Sequence, residues 1–219
     1  MRSIAFLRLI SAITVAACAR SAPVPPSVAA SRAALPDTLA STLVDRRDGT
    51  VYPILKVGTQ RWISQNMRFA TPKSRCYDDR DELCARLGRL YTWDEALDAC
   101  PAGWRLASDV DWQELEMSAG MSAVDVFRAD ARGDGVGDRL KKTGDVGFNT
   151  ELGGWFDPNN AQFRRADTAA AIWTSTGADA VWAWHRDISD LRSSIWRSTV
   201  AKTFLLSARC VEVPTPSRR

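Results

Sequence analysis

The chain of 219 residues contains a single histidine, His185. Any Ser-His-Asp or Cys-His catalytic set would have to use that one ring. No Gly-x-Ser-x-Gly elbow accompanies it, so a nucleophilic hydrolase has no visible motif. Zinc sites need clustered ligands such as Cys-x-x-Cys with histidines, and the cysteine spacings lack that form. No metal and no cofactor is expected. An excess of charge is also missing. The net charge is +3, and two of the 29 basic residues, Arg2 and Arg8, lie in an N-terminal segment that reads as removable. The remainder is almost balanced against 26 acidic residues and contains no basic run, so counterion release offers no route to nucleic acid. Long apolar runs are absent as well. Leu9–Ala17 is far shorter than the ~20 residues a spanning helix requires.

That short run is informative in its setting. Met1 to Arg8 is basic, Leu9–Ala17 is apolar and ends in small residues, and Cys18 follows. The string Val15-Ala16-Ala17-Cys18 resembles the lipobox of bacterial lipoproteins, in which the cysteine is lipidated and becomes the new N-terminus. Several buried acyl chains give stable anchoring where one does not. The alternative is an ordinary secretory signal with a chance cysteine. The expected organisation is a signal peptide over 1–17, a lipidated Cys18 with a Pro/Ala/Ser-rich tether over 18–43, a folded domain over 44–213 and a tail over 214–219. The expected place is outside the cytoplasm, held to the cell envelope by the lipid, at the outer membrane if the cell has two.

Setting Cys18 aside leaves Cys76, Cys84, Cys100 and Cys210. An even set in an exported chain implies bridges, and four cysteines allow three pairings. The favoured pairing is Cys76–Cys84 with Cys100–Cys210, the first stapling an irregular loop and the second tying a helix end to the last strand.

Val51–Val57 and Gln60–Asn66 flank Gly58-Thr59 and read as a hairpin. Pro53 places the first run at a sheet edge. Thr71–Arg86 reads as irregular. Thr92-Trp93-Asp94-Glu95 and Ser108-Asp109-Val110-Asp111 have capping-box form, starting helices that end near Ala99 and Gly120. A weaker helical stretch covers Ala123–Ala131. Beyond it, short aromatic-rich runs at 152–156, 171–174, 181–186, 195–198 and 204–211 read as strands. Helices first and strands later give an α+β class.

Nine tryptophans stand out. Trp62, Trp93, Trp104 and Trp112 read as core. Trp182 and Trp184, two apart on a strand, share one face and could stack on a sugar. Trp155 is a further aromatic candidate. Asp157-Pro158-Asn159-Asn160 sets oxygen ligands around a proline, as calcium-dependent lectins do; a turn is the plain alternative. Asp130–Asp138 fails as an EF-hand, because Arg132 takes the third position and Lys141 the twelfth. Candidate ligand-binding residues are therefore Trp155, Asp157, Asn159, Trp182 and Trp184, with no catalytic residue assigned.

Several blocks are familiar in combination. They are Asp45-Arg46-Arg47-Asp48-Gly49-Thr50-Val51-Tyr52, Val57-Gly58-Thr59-Gln60-Arg61-Trp62, Gln65-Asn66-Met67, Gly88-Arg89-Leu90-Tyr91-Thr92-Trp93, Cys100-Pro101-Ala102-Gly103-Trp104-Arg105-Leu106 and Ser207-Ala208-Arg209-Cys210-Val211. Together they resemble the Fibrobacter succinogenes major paralogous domain over about Leu43 to Val213. Ala107 stands where that family usually has Pro, and Met67 replaces Leu. The resemblance implies a C-type-lectin-like fold with two or three helices, a twisted antiparallel sheet and long irregular loops. It agrees with the Cys100–Cys210 bridge. It also implies an exported lipoprotein without an assigned activity. The expectation is a non-catalytic envelope module binding glycan or protein on its Trp-rich side; a structural or envelope-assembly lipoprotein is the alternative, and a carboxylate-dependent hydrolase a third.

Overall fold

The computed structural model describes residues 41–214. The signal segment, Cys18 and nearly all of the tether lie outside the described residues. Strands outweigh helices. One sheet has five strands, in the order β1-β2-β3-β11-β4, and a second has six, in the order β5-β10-β9-β8-β6-β7. The first comprises β1 (Ser41–Val44), β2 (Val51–Val57), β3 (Gln60–Ile63), β4 (Trp104–Leu106) and β11 (Cys210–Glu212). The second comprises β5 (Asp130–Arg132), β6 (Gly153–Asp157), β7 (Gln162–Ala166), β8 (Ala169–Gly177), β9 (Trp182–Ser189) and β10 (Ile195–Ala201). All strand pairs are antiparallel except β6 with β8. The helices are short: α1 (Asp81–Leu87), α2 (Trp93–Asp98), α3 (Asp109–Ser118) and α4 (Val136–Leu140). The expectation of helices with an antiparallel sheet holds in part: the pairing is nearly all antiparallel, but strands dominate and form two sheets.

The hairpin forms as read, with Gly58 supplying the positive φ of the turn. Pro53 is not at an edge, because β1 pairs outside it and the sheet begins earlier than residue 44. Proline is tolerated there for a local reason. Its carbonyl accepts from Ser64 N–H, so its backbone faces the β3 side, where pairing has just ended.

Three helical expectations change. Thr92 starts α2 without a side-chain cap, and the Glu95 carboxylate instead accepts the Lys73 backbone N–H at 2.6 Å. The full capping box forms only at Ser108 and Asp111. Thr71–Arg86 is not wholly irregular, since α1 lies within it, stapled at Cys84 to Cys76. Ala123–Ala131 is no helix. It contains one 3-10 turn, Asp125–Phe127, and runs into β5. Only the end of the 204–211 run is a strand; its earlier residues make isolated bridges.

Both expected bridges are present, Cys76–Cys84 and Cys100–Cys210. The second joins Cys100, two residues beyond the end of α2, to β11.

Two apolar clusters share β8. Ala170 and Ile172 enter one with Trp62, Trp112, Leu115 and Ile188, while Ala171 and Trp173 enter the other with Tyr52, Tyr91, Leu106 and Leu206. A strand buried on both faces splits its alternate side chains between two cores. Trp62, Trp104 and Trp112 are buried and Trp93 is partly buried, as expected of core residues.

Candidate functional site: an aromatic groove on the six-stranded sheet

Alternation sorts the second sheet's side chains onto two faces. Trp182, Trp184 and Arg186 of β9 point one way, and Ala183, His185 and Asp187 the other.

The first face is dominated by a closed ionic network. Arg186 pairs with Asp109 at 2.7 Å and with Glu116 at 2.6 Å, Arg132 pairs with Glu116 at 2.6 Å, and Arg197 pairs with Asp109 at 2.7 Å. Glu116, Arg132 and Arg186 have fully buried side chains. Buried charge requires such pairing. Burial lowers the Arg132 pKa to about 10, although Glu116 opposes this, and the guanidinium stays charged at neutral pH. Arg132 is thus an internal strut.

Trp182 and Trp184 lie on this same face. The Arg197 guanidinium lies 3.9 Å from the Trp184 ring centroid, so a cation occupies the stacking surface proposed for a sugar. Trp182 is exposed but stands without that neighbour's free ring. Asp157 and Asn159 are also spent locally. The Asp157 carboxylate accepts Asn159 N–H at 3.0 Å and Asn160 Nδ2 at 2.8 Å and pairs with Arg164, so the segment is a turn. The structure does not bring the five sequence candidates together.

Trp155 is partly buried and borders two cavities. On the opposite face it joins Ala171, His185, Asp187, Val200, Phe204 and Leu206 around a cavity of about 210 Å³. A second cavity, of about 450 Å³, shares Trp155 and Asp187 and is completed by Arg165, Ser189, Leu191 and Arg192. The two adjoin at Trp155 and Asp187, one with a mostly apolar lining and the other with a charged one, and are together called the groove below.

Burial raises the Asp187 carboxyl above its ordinary range, more than its ion pair with Arg192 at 2.8 Å lowers it. Arg192 also lies over Trp196, 5.2 Å from its centroid. Burial lowers His185 to about 4, with the Arg186 charge adding to the effect. Its Nδ1 is closed to solvent and has no hydrogen-bond partner among the described residues. The ring is therefore neutral across physiological pH.

The sequence offered Trp155 as a candidate but not the residues that surround it. Asp187 could have been paired with His185 by period two on β9. Arg165 and Arg192 carried no signal, because their strands and loops meet only in the fold.

A family model described as the Fibrobacter succinogenes major domain matches residues 55–212. The chain belongs to that family. Neither the curated proteins nor the solved structures include a match. Within this family member, the matched region contains every residue of the Trp155 groove. Among the described residues no helix is long and apolar enough to cross a membrane, and no group of three His, Cys, Asp or Glu side chains is placed to hold a metal ion.

Proposed function

We propose that this protein is an exported, lipid-anchored recognition module of the cell envelope, with a C-type-lectin-like fold, that holds a glycan in the Trp155 groove. One observation carries the reading. An open groove joins an aromatic wall, Trp155 and Phe204, to convergent polar groups, Asp187, Ser189, Arg165 and Arg192. Binding sites commonly combine an apolar lining with a few placed polar groups. Tryptophan offers the apolar face of a sugar ring a large, rigid surface.

A non-catalytic role fits the same residues. All four cysteines of the domain are bridged, so no thiol is available as nucleophile. No hydroxyl or thiol hydrogen bond reaches His185 Nδ1. The lipid anchor rests on the Cys18 motif in the sequence.

The test of binding is a glycan array probed with the full-length chain and with its Trp155→Ala variant. Hits that disappear in the variant support the reading, and a blank array with a folded protein ends it. The anchor has a separate test. Mass spectrometry of the cell-derived protein is expected to find acylated Cys18 as the first residue; an unmodified start refutes it.

A further inference from the structure

We infer that the Trp155 groove selects an acidic glycan, a sugar unit carrying a carboxylate or sulfate, with the anion held by Arg165. This rests on the glycan reading above and deepens it.

The charge count at the polar end is the first ground. Asp187 faces two guanidiniums, those of Arg165 and Arg192. Arg192 already pairs with Asp187 at 2.8 Å. Arg165 acts on Asp187 only through space, and among the described residues its guanidinium has no hydrogen-bond or ion-pair partner. His185 is neutral there and adds no charge. The groove therefore offers one uncompensated cation beside an aromatic wall. An arginine–carboxylate or arginine–sulfate contact is charge-assisted and directional, whereas a neutral sugar leaves that cation to water.

The backbone supplies an independent ground. Arg165 has φ 59°, a left-handed conformation that is strained for an L residue and that glycine adopts freely. It sits opposite Gly154, φ 65°, between the Gly153–Ala166 and Trp155–Arg164 pairs of the β6–β7 ladder. Trp155 and Arg164 are cross-strand partners, so regular alternation would send Arg165 to the face away from Trp155. The left-handed turn instead lets Arg165 line the groove with Trp155. Strain of this kind concentrates at binding sites.

The apolar end completes the match. Val200, Phe204 and Leu206 extend the Trp155 wall without polar demand, suiting the carbon face of a ring whose charged substituent points to Arg165.

The experiment is calorimetric titration of the full-length chain with three oligosaccharides of similar length: an oligogalacturonate, a sulfated galactan fragment and an unsulfated galactan fragment. At least one acidic ligand is expected to bind about tenfold or more tightly than the neutral one, as one charge-assisted contact implies. Arg165→Ala should abolish that preference, and added salt should weaken the acidic ligand selectively. Arg165 is exposed, so this variant is expected to retain the fold, checked by thermal unfolding. Equal affinity for acidic and neutral ligands, or a preference unchanged in Arg165→Ala, overturns the acidic selection while leaving glycan recognition standing. Absence of binding to all three, together with a blank array, removes both.

Discussion

Glu116 is where a single-atom change should cost the most. Its two carboxylate oxygens each accept one buried arginine, Arg186 Nε at Oε1 and Arg132 Nη2 at Oε2, both at 2.6 Å. Glu116→Gln keeps the shape and removes the charge. Arg132 and Arg186 would then share the enclosed space with Arg197, with Asp109 as the remaining carboxylate of the network. Arg132 Nη1 already lacks a hydrogen-bond partner, so the site has no spare acceptor. Breaking a buried pair on one side costs about 3–5 kcal/mol. For a domain of this size that corresponds to a fall in Tm of about 10 °C. The assay is urea unfolding with the disulfides intact, followed by tryptophan fluorescence. Asp125→Asn, which removes an exposed pair with Arg128, is the control and should leave the unfolding midpoint nearly unchanged, because solvent screens that pair. A Glu116→Gln loss no larger than the control would refute the idea that this network is dry and tightly coupled.

Opening Cys100–Cys210 by a double serine replacement should cost about 5 kcal/mol, and opening Cys76–Cys84 about 2.5 kcal/mol, from loop-closure entropy over separations of 110 and 8 residues. Equal losses in denaturant melts would reject the entropic account. Gly154→Ala should destabilise by more than ~1 kcal/mol, since φ is 65° and the added Cβ would collide with the Arg164 carbonyl; unchanged unfolding would contradict the local geometry. Acid should weaken the fold through His185. Its folded pKa, about 4, lies below the ordinary 6.5, so the unfolded chain binds the proton first and stability falls as pH drops through that interval, by up to about 3 kcal/mol. Asp187, raised by burial, opposes this as it protonates. His185→Gln isolates the effect: the difference in unfolding free energy between parent and variant should vary over pH 4 to 6.5, and a constant difference would sink the assignment.

Local chemistry made part of this fold legible. Gly58-Thr59 announced the first hairpin, and Ser108 with Asp111 announced α3, because turn and cap signals act within a few residues. The elements that escaped had weaker local signals. α1 has no side-chain cap and is fastened by a disulfide, while β7 reads Gln-Phe-Arg-Arg-Ala and resembles polar loop. β1 lay hidden against an Ala/Ser/Pro-rich approach and is defined by its pairing with β2. The groove was legible only at Trp155. Its charged end depends on a backbone inversion at Arg165 and on a loop arginine, Arg192, meeting β9, neither of which has a sequence period. The Trp182–Trp184 spacing correctly gave a shared face, but the cation covering it comes from β10, thirteen residues along the chain from Trp184.

The strand order of the first sheet sets a timetable for biosynthesis. β11 lies inside that sheet, between β3 and β4, and its Cys210 is the partner of Cys100. A chain emerging from its N-terminus can close the β2–β3 hairpin at once, but β3 and β4 have no direct ladder to each other and must wait for residues 210–212. Until then the apolar surface prepared for the late strand stays open, and the thiol of Cys100 is without its proper mate. The same delay makes Cys100 the point at which oxidation ahead of folding would trap the wrong bridge.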